Sequence, residues 1–383
     1  MIRKLKELVP KYKGKINWQK IDEVILPTFK TGLINTEQEP KFHGEGNVYI
    51  HTKMVCEELI KLPDYETIND EERLVLFIAA LLHDVGKITC TKIVDGEIRS
   101  FNHGINGAIT VRNFLWNTFN MCGNETTYVR EAICLLIKYH SALLWSNDNI
   151  KKIIKISLNS KLTKLFSIKL LGILSKADVL GRIGEQKEEL ILKIMLSEEL
   201  AKNHNCYESY FTFYNDFTKY KYLHTDEKYM YSQFYDNTTN EAIIMCGLPA
   251  SGKDTYINNN LRNNYKVITL DEIRKELKIK PNEDQTKVIE EAKKLMKTAL
   301  ANKQNIVWNA TSLNVFFRKT QIDLLKKYNY SVKIIYLEST LENIIKRNED
   351  REAQVPIYVI YNMLKKFSIP EDYEADQVIW LIN

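Results

Sequence analysis

The chain has 383 residues, enough for two or three domains, and its 44% hydrophobic content supports real cores. A formal charge of +5 is mild: it is compatible with a nucleic-acid partner without arguing for one. No stretch is long and apolar enough to span a membrane, and the opening MIRKLKELVPKYKGK lacks a signal core, so a cytoplasmic chain with no membrane partner is expected. The six cysteines (Cys56, Cys90, Cys122, Cys134, Cys206, Cys246) include no C-x-x-C pair and read as reduced core residues.

In chain order, residues 1–40 read as a basic helix followed by an irregular, extension-like segment. Residues 41–185 are almost wholly helical in pattern. Glu71–Leu82 predicts a buried helix running into His83-Asp84. Lys92–Arg99 reads as a short hairpin turning at Asp95-Gly96. Glu131–Leu144 and Ser167–Ile183 repeat apolar residues near a period of 3.6. Residues 186–240 read as a connector, helical and aromatic over 186–235 (Tyr207, Tyr210, Phe211, Phe213, Tyr214, Phe217, Tyr220, Tyr222) and ending in the polar linker Asp236–Asn240. Over 241–383 the texture changes to strand–helix alternation. Strands are expected at Ala242–Cys246, Lys266–Leu270, Asn305–Trp308, Val332–Leu337 and Gln377–Leu381, forming a mainly parallel sheet. The fold class is therefore multidomain: an all-α domain followed by an α/β domain.

The helical half holds most of the chain's histidines. His51, His83, His103 and His140 fall, with Asp84 and Asp178, into one order, each on or beside a predicted helix. Imidazole nitrogens and carboxylate oxygens suit Mn, Zn, Fe, Co or Ni, so one or two divalent transition metals are expected. A carboxylate such as Asp84 can bridge two metals that activate water and clamp a phosphate. Lys87, three residues after Asp84, can offer a cation to that phosphate. His51, HDVGK (His83–Lys87) and Asp178 in SKADVLGR resemble the HD-domain phosphohydrolase superfamily over about residues 41–185. HGEGNVYIHT (His43–Thr52) resembles the start of the HD domain attached to some tRNA nucleotidyltransferases. The resemblance implies His51, His83, Asp84 and Asp178 as ligands of one metal, His103 and His140 as ligands of a second, and hydrolysis of phosphomonoesters and 2′,3′-cyclic phosphates. His43 either faces the substrate or serves structure.

The α/β half opens with GLPASGKDT, Gly247–Thr255. It lies between a strand and a helix, in the G-x-x-x-x-G-K order of a P-loop. Its glycines let backbone N–H groups curl around a phosphate, the helix N-terminus adds its positive end, and Lys253 reaches the β- and γ-phosphates. Gly247, Ser251, Gly252 and Lys253 are the expected ATP contacts, with ATP or another NTP carried with Mg²⁺. Asp254 stands where Ser or Thr usually serves Mg²⁺, so either Asp254 approaches the metal or Thr255 takes over. Asp271 follows the second strand, and a carboxylate one strand from the P-loop can accept a hydroxyl proton. Arg347 and Arg351 are i, i+4 and are expected on one helix face, gripping the γ-phosphate. GLPASGKDT, Asp271–Arg274, Asn309–Asn314 and Arg347–Arg351 together resemble phage-type polynucleotide 5′-kinases over about residues 241–383. The resemblance implies Asp271 as general base toward a 5′-hydroxyl, Arg274 on the acceptor phosphate, Asn309 and Thr311 in an acceptor loop, and Arg347 and Arg351 in a lid. Ala310 departs from the acidic residue of that loop.

An HD hydrolase ahead of a polynucleotide kinase resembles a bacterial and phage class of RNA end-healing enzymes. The implied partners are RNA ends, with DNA ends not excluded, and functionally a ligase; a homodimer is left open. The rival readings are a nucleoside or nucleotide kinase fused to an HD nucleotide phosphohydrolase, and a non-catalytic sensor.

Overall fold

The computed structural model describes residues 2–280, 283–351 and 354–383. It divides into two compact units, residues 2–121 with 125–211, and residues 122–124 with 212–383.

The first unit is built around the helix Asp70–Leu82. Asn69 and Glu72 form a reciprocal capping box that fixes its start, and every residue from Leu74 to Leu82 is buried. A helix apolar on all sides must be wrapped. Val48–Leu59, Thr126–Tyr139 and Ile168–Leu180 pack against it. The hairpin forms as β1 (Thr91–Val94) and β2 (Glu97–Ser100), with Gly96 at φ 82° in its turn. A further helix, His103–Phe119, packs on Thr126–Tyr139. The helix expected to run to Leu144 stops at Tyr139, where His140 caps it, and a short 3₁₀ turn covers Ala142–Trp145. The N-terminal segment adds three short helices, Ile2–Lys6, Trp18–Val24 and Lys30–Ile34, where one helix and an irregular stretch were expected.

The 186–240 segment is not one helical connector. Lys187–Asn203 packs within the first unit against Ile168–Leu180, and residues from 212 onward belong to the second unit. Between Lys187–Asn203 and Asp216–His224 the chain is irregular, which removes helical spacing as the reason for its aromatics. Phe211 and Tyr222 are buried, while Tyr214 is exposed.

The second unit is a five-stranded parallel sheet in the order β4-β5-β3-β6-β7, from β3 (Asn240–Cys246), β4 (Lys266–Thr269), β5 (Ile306–Asn309), β6 (Tyr330–Glu338) and β7 (Gln377–Ile382). Ile243, Met245, Val307, Ile335 and Leu337 pack with Ile257 and Leu261 of the helix Lys253–Asn260. The chain leaves β3 toward β5 and β4 on one side and returns to β6 and β7 on the other. The carboxyl end of β3 is thus the switch point where such sheets bind ligands. All six cysteines are free, and no described helix is long and apolar enough to cross a membrane.

Candidate metal centre and nucleotide site

In the first unit, five helices each carry ligand candidates to one place. His51 comes from Val48–Leu59, His83 and Asp84 from the end of Asp70–Leu82, His103 from the start of His103–Phe119, His140 from the cap of Thr126–Tyr139 and Asp178 from Ile168–Leu180. Two groups of ligand atoms result, each within 4.8 Å: His51, His83 and Asp178, and Asp84, His103 and His140. Asp84 faces both. Its Oδ2 lies 3.2 Å from His83 Nε2 and 3.6 Å from His51 Nε2, and its Oδ1 lies 3.5 Å from His103 Nε2 and 3.9 Å from His140 Nε2.

The proton positions follow from the outer contacts. His83, His103 and His140 donate from Nδ1 to the carbonyls of Ala80, Ser100 and Ile137, at 2.8, 2.8 and 2.7 Å. His51 turns Nδ1 to Glu45 Oε1 at 2.8 Å. A ring committed at Nδ1 presents an unprotonated Nε2. Three such nitrogens, with His51 Nε2, converge on two carboxylates: His103 and His140 Nε2 are only 3.2 Å apart, and His51 Nε2 is 3.0 Å from Asp178 Oδ1. His51 Nδ1, His83 Nε2 and Asp84 Oδ1 are buried without a hydrogen-bond partner, and Asp84 Oδ2 has the Lys87 ammonium 2.8 Å away. Lone pairs this crowded need cations between them, and neighbouring ligands on one metal with bonds of about 2.1 Å sit roughly 3.0–3.4 Å apart. The residues therefore fit two divalent metal ions.

Electrostatics agree. Burial pushes the His140 pKa down to about 3, with His103 and His83 adding to it, and burial lowers His103, so both rings are neutral. His83 differs: burial, the largest single cause, lowers it, but Asp84, Asp178 and the Ala80 carbonyl together raise it, so its ring pairs as a cation with Asp84 unless a metal takes that place. Asp84 and Asp178 stay ionised: burial opposes this, yet His83 and Lys87 beside Asp84, and Arg182 and His51 beside Asp178, hold both well below the usual range. Lys87 Nζ lies 2.8 Å from Asp84 Oδ2 and donates to Gln38 Oε1 at 2.6 Å.

Two residues escaped the sequence reading. Arg182, one turn after Asp178, donates to both of its oxygens, at 2.5 and 3.3 Å. Glu45 is the hub of a second layer: Oε1 accepts from His43 Nδ1 at 2.9 Å and faces His51 Nδ1, and Oε2 accepts from the Ile183 N–H at 2.8 Å. Burial works against the Glu45 charge, but these bonds hold its pKa well below the ordinary value. His43, Glu45 and His51 could themselves gather around an ion. That would need both nitrogens of His51, one of which already faces Asp178, so the trio reads as an orienting network. Burial pushes the His43 pKa down to about 4.

In the second unit, the loop after β3 has Gly247 at φ 147° and Gly252 at φ 104°, backbone that favours glycine, and a Cβ on Gly247 would lie 2.4 Å from the Leu337 carbonyl. Gly247 N–H donates to Thr311 O at 2.9 Å, binding the P-loop to the Asn309–Asn314 loop. The Ser251 hydroxyl is buried without a partner. Lys253 folds back onto the Gly247 and Leu248 carbonyls at 3.0 and 2.7 Å, and burial lowers its pKa to about 8, with Asp254 opposing. Asn309 donates to Asp254 Oδ1 at 2.7 Å, joining the loop expected to meet an acceptor to the helix that follows the P-loop. Thr255 is exposed.

Asp271, at the start of the helix Leu270–Leu277, is held by Arg274 at 2.5 Å and approached by Arg351 at 3.4 Å. The two lid arginines do not share a helix face. The helix Leu341–Glu349 ends before Arg351, and the Asn348 amide bonds both the N–H and the C=O of Val355, at 3.0 and 2.8 Å. Arg347 points instead to Ser251 O at 3.5 Å and Ser339 Oγ at 3.4 Å.

Fold and sites define a chain with a helical HD domain followed by a P-loop domain on a parallel sheet. Residues 48–183 match the family model described as the HD domain, and residues 243–370 match that described as the AAA domain. An L-seryl-tRNA(Sec) kinase of Methanococcus maripaludis is similar to this chain, 28% identical over 136 residues, 33% of this chain and 52% of that protein. The chain thus spans about half the length of that curated relative.

Proposed function

We propose that the chain heals nucleic-acid ends: the P-loop domain phosphorylates a 5′-hydroxyl from an NTP, and the HD domain removes a 2′,3′-cyclic, 2′- or 3′-phosphate. The observation that carries the reading is Asp271 flanked by Arg274 and Arg351 at the carboxyl end of the sheet that bears the P-loop. In that arrangement Asp271 accepts the proton of the acceptor hydroxyl as its oxygen bonds to the γ-phosphorus and the bond to the leaving diphosphate breaks. Arg274 holds a phosphate of the acceptor, and Lys253 and Arg347 face the transferred group. The Asp271 side chain is 59% exposed, an open site that suits a polymer end better than an enclosed nucleoside. A relative named for a tRNA-borne seryl group supports a hydroxyl acceptor attached to RNA.

In the HD domain, His51, His83, Asp84 and Asp178 would hold one metal and Asp84, His103 and His140 a second. Such a pair supplies activated water and a clamp on the phosphate oxygens. The residues' own part is to fix those positions, with Lys87 adding charge for the phosphate and Arg182 steadying Asp178. The end products, 3′-hydroxyl and 5′-phosphate, are what a ligase joins.

The test is competition for phosphate from ATP between a 5′-hydroxyl oligoribonucleotide and free nucleosides. The oligonucleotide should win by at least about tenfold in kcat/KM. Equal use of the nucleosides would favour a nucleoside kinase joined to a nucleotide phosphohydrolase and end this reading.

A further inference from the structure

The P-loop departs from its usual chemistry at one place. The residue after its lysine normally offers a neutral hydroxyl to the metal that travels with the nucleotide. Here it is Asp254, the second residue of the helix Lys253–Asn260. The carboxylate has a defined direction. Its Oδ1 accepts from Asn309 Nδ2 at 2.7 Å. Asn309 is the last residue of β5 and pairs in register with Met245 of β3, at the carboxyl end of the sheet where the P-loop begins. Asp254 is therefore turned toward the phosphate cradle, not away along the helix. Its Oδ2 has no protein partner, and no lysine or arginine is within ion-pair distance of it among the described residues. Lys253, its neighbour, spends its ammonium on the Gly247 and Leu248 carbonyls. A carboxylate at the cradle, steadied by an amide and unpaired with a cation, changes the binding equilibrium in a definite sense. A nucleotide arriving without metal meets like charge. A nucleotide arriving with a divalent cation meets a hard, charged oxygen ligand in place of a hydroxyl.

We propose that Asp254 makes nucleotide binding obligately metal-coupled: its carboxylate, aimed by Asn309, accepts the nucleotide's divalent cation and rejects metal-free nucleotide. The inference rests on Gly247–Thr255 being a nucleotide site and is independent of the acceptor. Thr255, exposed like Asp254 and one position further round the helix, has no such bond to aim it among the described residues.

The experiment measures ATP affinity of the full chain by calorimetry in excess Mg²⁺ and in excess EDTA. It compares the wild type with Asp254→Asn, Asp254→Ser and Asn309→Ala. Because every variant sees the same two conditions, loss of metal from the HD domain in EDTA cancels in the comparison. The wild type should lose ATP binding by about 100-fold or more in EDTA, the size expected of one like-charge contact at the effective dielectric of a protein site. Asp254→Asn and Asp254→Ser should gain metal-free affinity by about tenfold or more, with little gain in Mg²⁺, so the ratio between conditions shrinks. Asn309→Ala should shrink it less, since the charge remains but is no longer aimed. Wild type that binds Mg-ATP, with both Asp254 variants keeping its ratio, would overturn the proposal and leave the nucleotide site standing. Wild type that binds no ATP in Mg²⁺ would overturn both.

Discussion

At Glu45 a single carboxylate decides the proton positions of two imidazoles. It accepts from Nδ1 of His43 and lies 2.8 Å from Nδ1 of His51; a proton drawn to that side leaves the His51 Nε2 lone pair for metal. Glu45→Gln keeps the size and removes the charge. Metal affinity should fall by about 10–100-fold, the usual effect of losing an outer partner of a histidine ligand. Mn²⁺ titration of metal-stripped protein checks this, and an unchanged dissociation constant would show that the His51 tautomer does not depend on Glu45. Arg274 is a second residue with one assignable effect. Arg274→Ala should raise KM for a 5′-hydroxyl oligonucleotide at least about tenfold while KM for ATP stays within about twofold. A loss shared equally by both substrates would place Arg274 in support of Asp271 alone. The six metal-ligand candidates were legible because histidine is scarce in this chain and these residues follow one order. Glu45 and Arg182 were not: each gains its meaning from contacts that sequence spacing does not display, Glu45 from a backbone amide 138 positions away.

Elements carry these residues to their places, and their contacts have little slack. Gly86, in HDVGK, lies where a Cβ would meet the His103 carbonyl at 2.0 Å and the Gly107 amide at 2.6 Å, both backbone. Gly86→Ala must push the start of the helix His103–Phe119 away from Asp84. A cost on the order of 3 kcal/mol follows from such overpacking, or a fall of about 10 °C in the first unit's melting temperature, with weaker retention of metal. Calorimetry of wild type and variant decides it, and an unshifted transition would mean that the backbone yields freely there. The buried helix Asp70–Leu82 and all five strands of the second unit were readable as apolar runs. Their ends were less so. The i, i+4 spacing of Arg347 and Arg351 suggested a shared helix face, but the helix ends between them, where Asn348 makes its two bonds to Val355. A side chain that closes a loop by pairing with distant backbone leaves no periodic trace.

Across the chain, a helical HD domain and a P-loop domain each carry a candidate site made from residues of their own unit. Lys253→Ala should abolish 5′-phosphorylation, by at least about 100-fold, and spare 3′-end hydrolysis. Asp84→Asn should do the reverse. Both rates measured on each variant check the separation, and parallel loss of both activities in a folded variant would refute it. The order of the domains was visible in the sequence as a change from histidine-bearing helices to strand–helix alternation. The division within 186–240 was not, because its aromatics have no period that tells which unit they pack with. The central claim meets its most direct test on one oligoribonucleotide carrying a 5′-hydroxyl and a 2′,3′-cyclic phosphate, incubated with the protein, ATP, Mg²⁺ and Mn²⁺ and followed by mass spectrometry. The account predicts gain of a phosphate at the 5′ end and opening and loss of the phosphate at the other. An oligonucleotide unchanged at both ends, under conditions where the same protein phosphorylates free nucleosides, would contradict it.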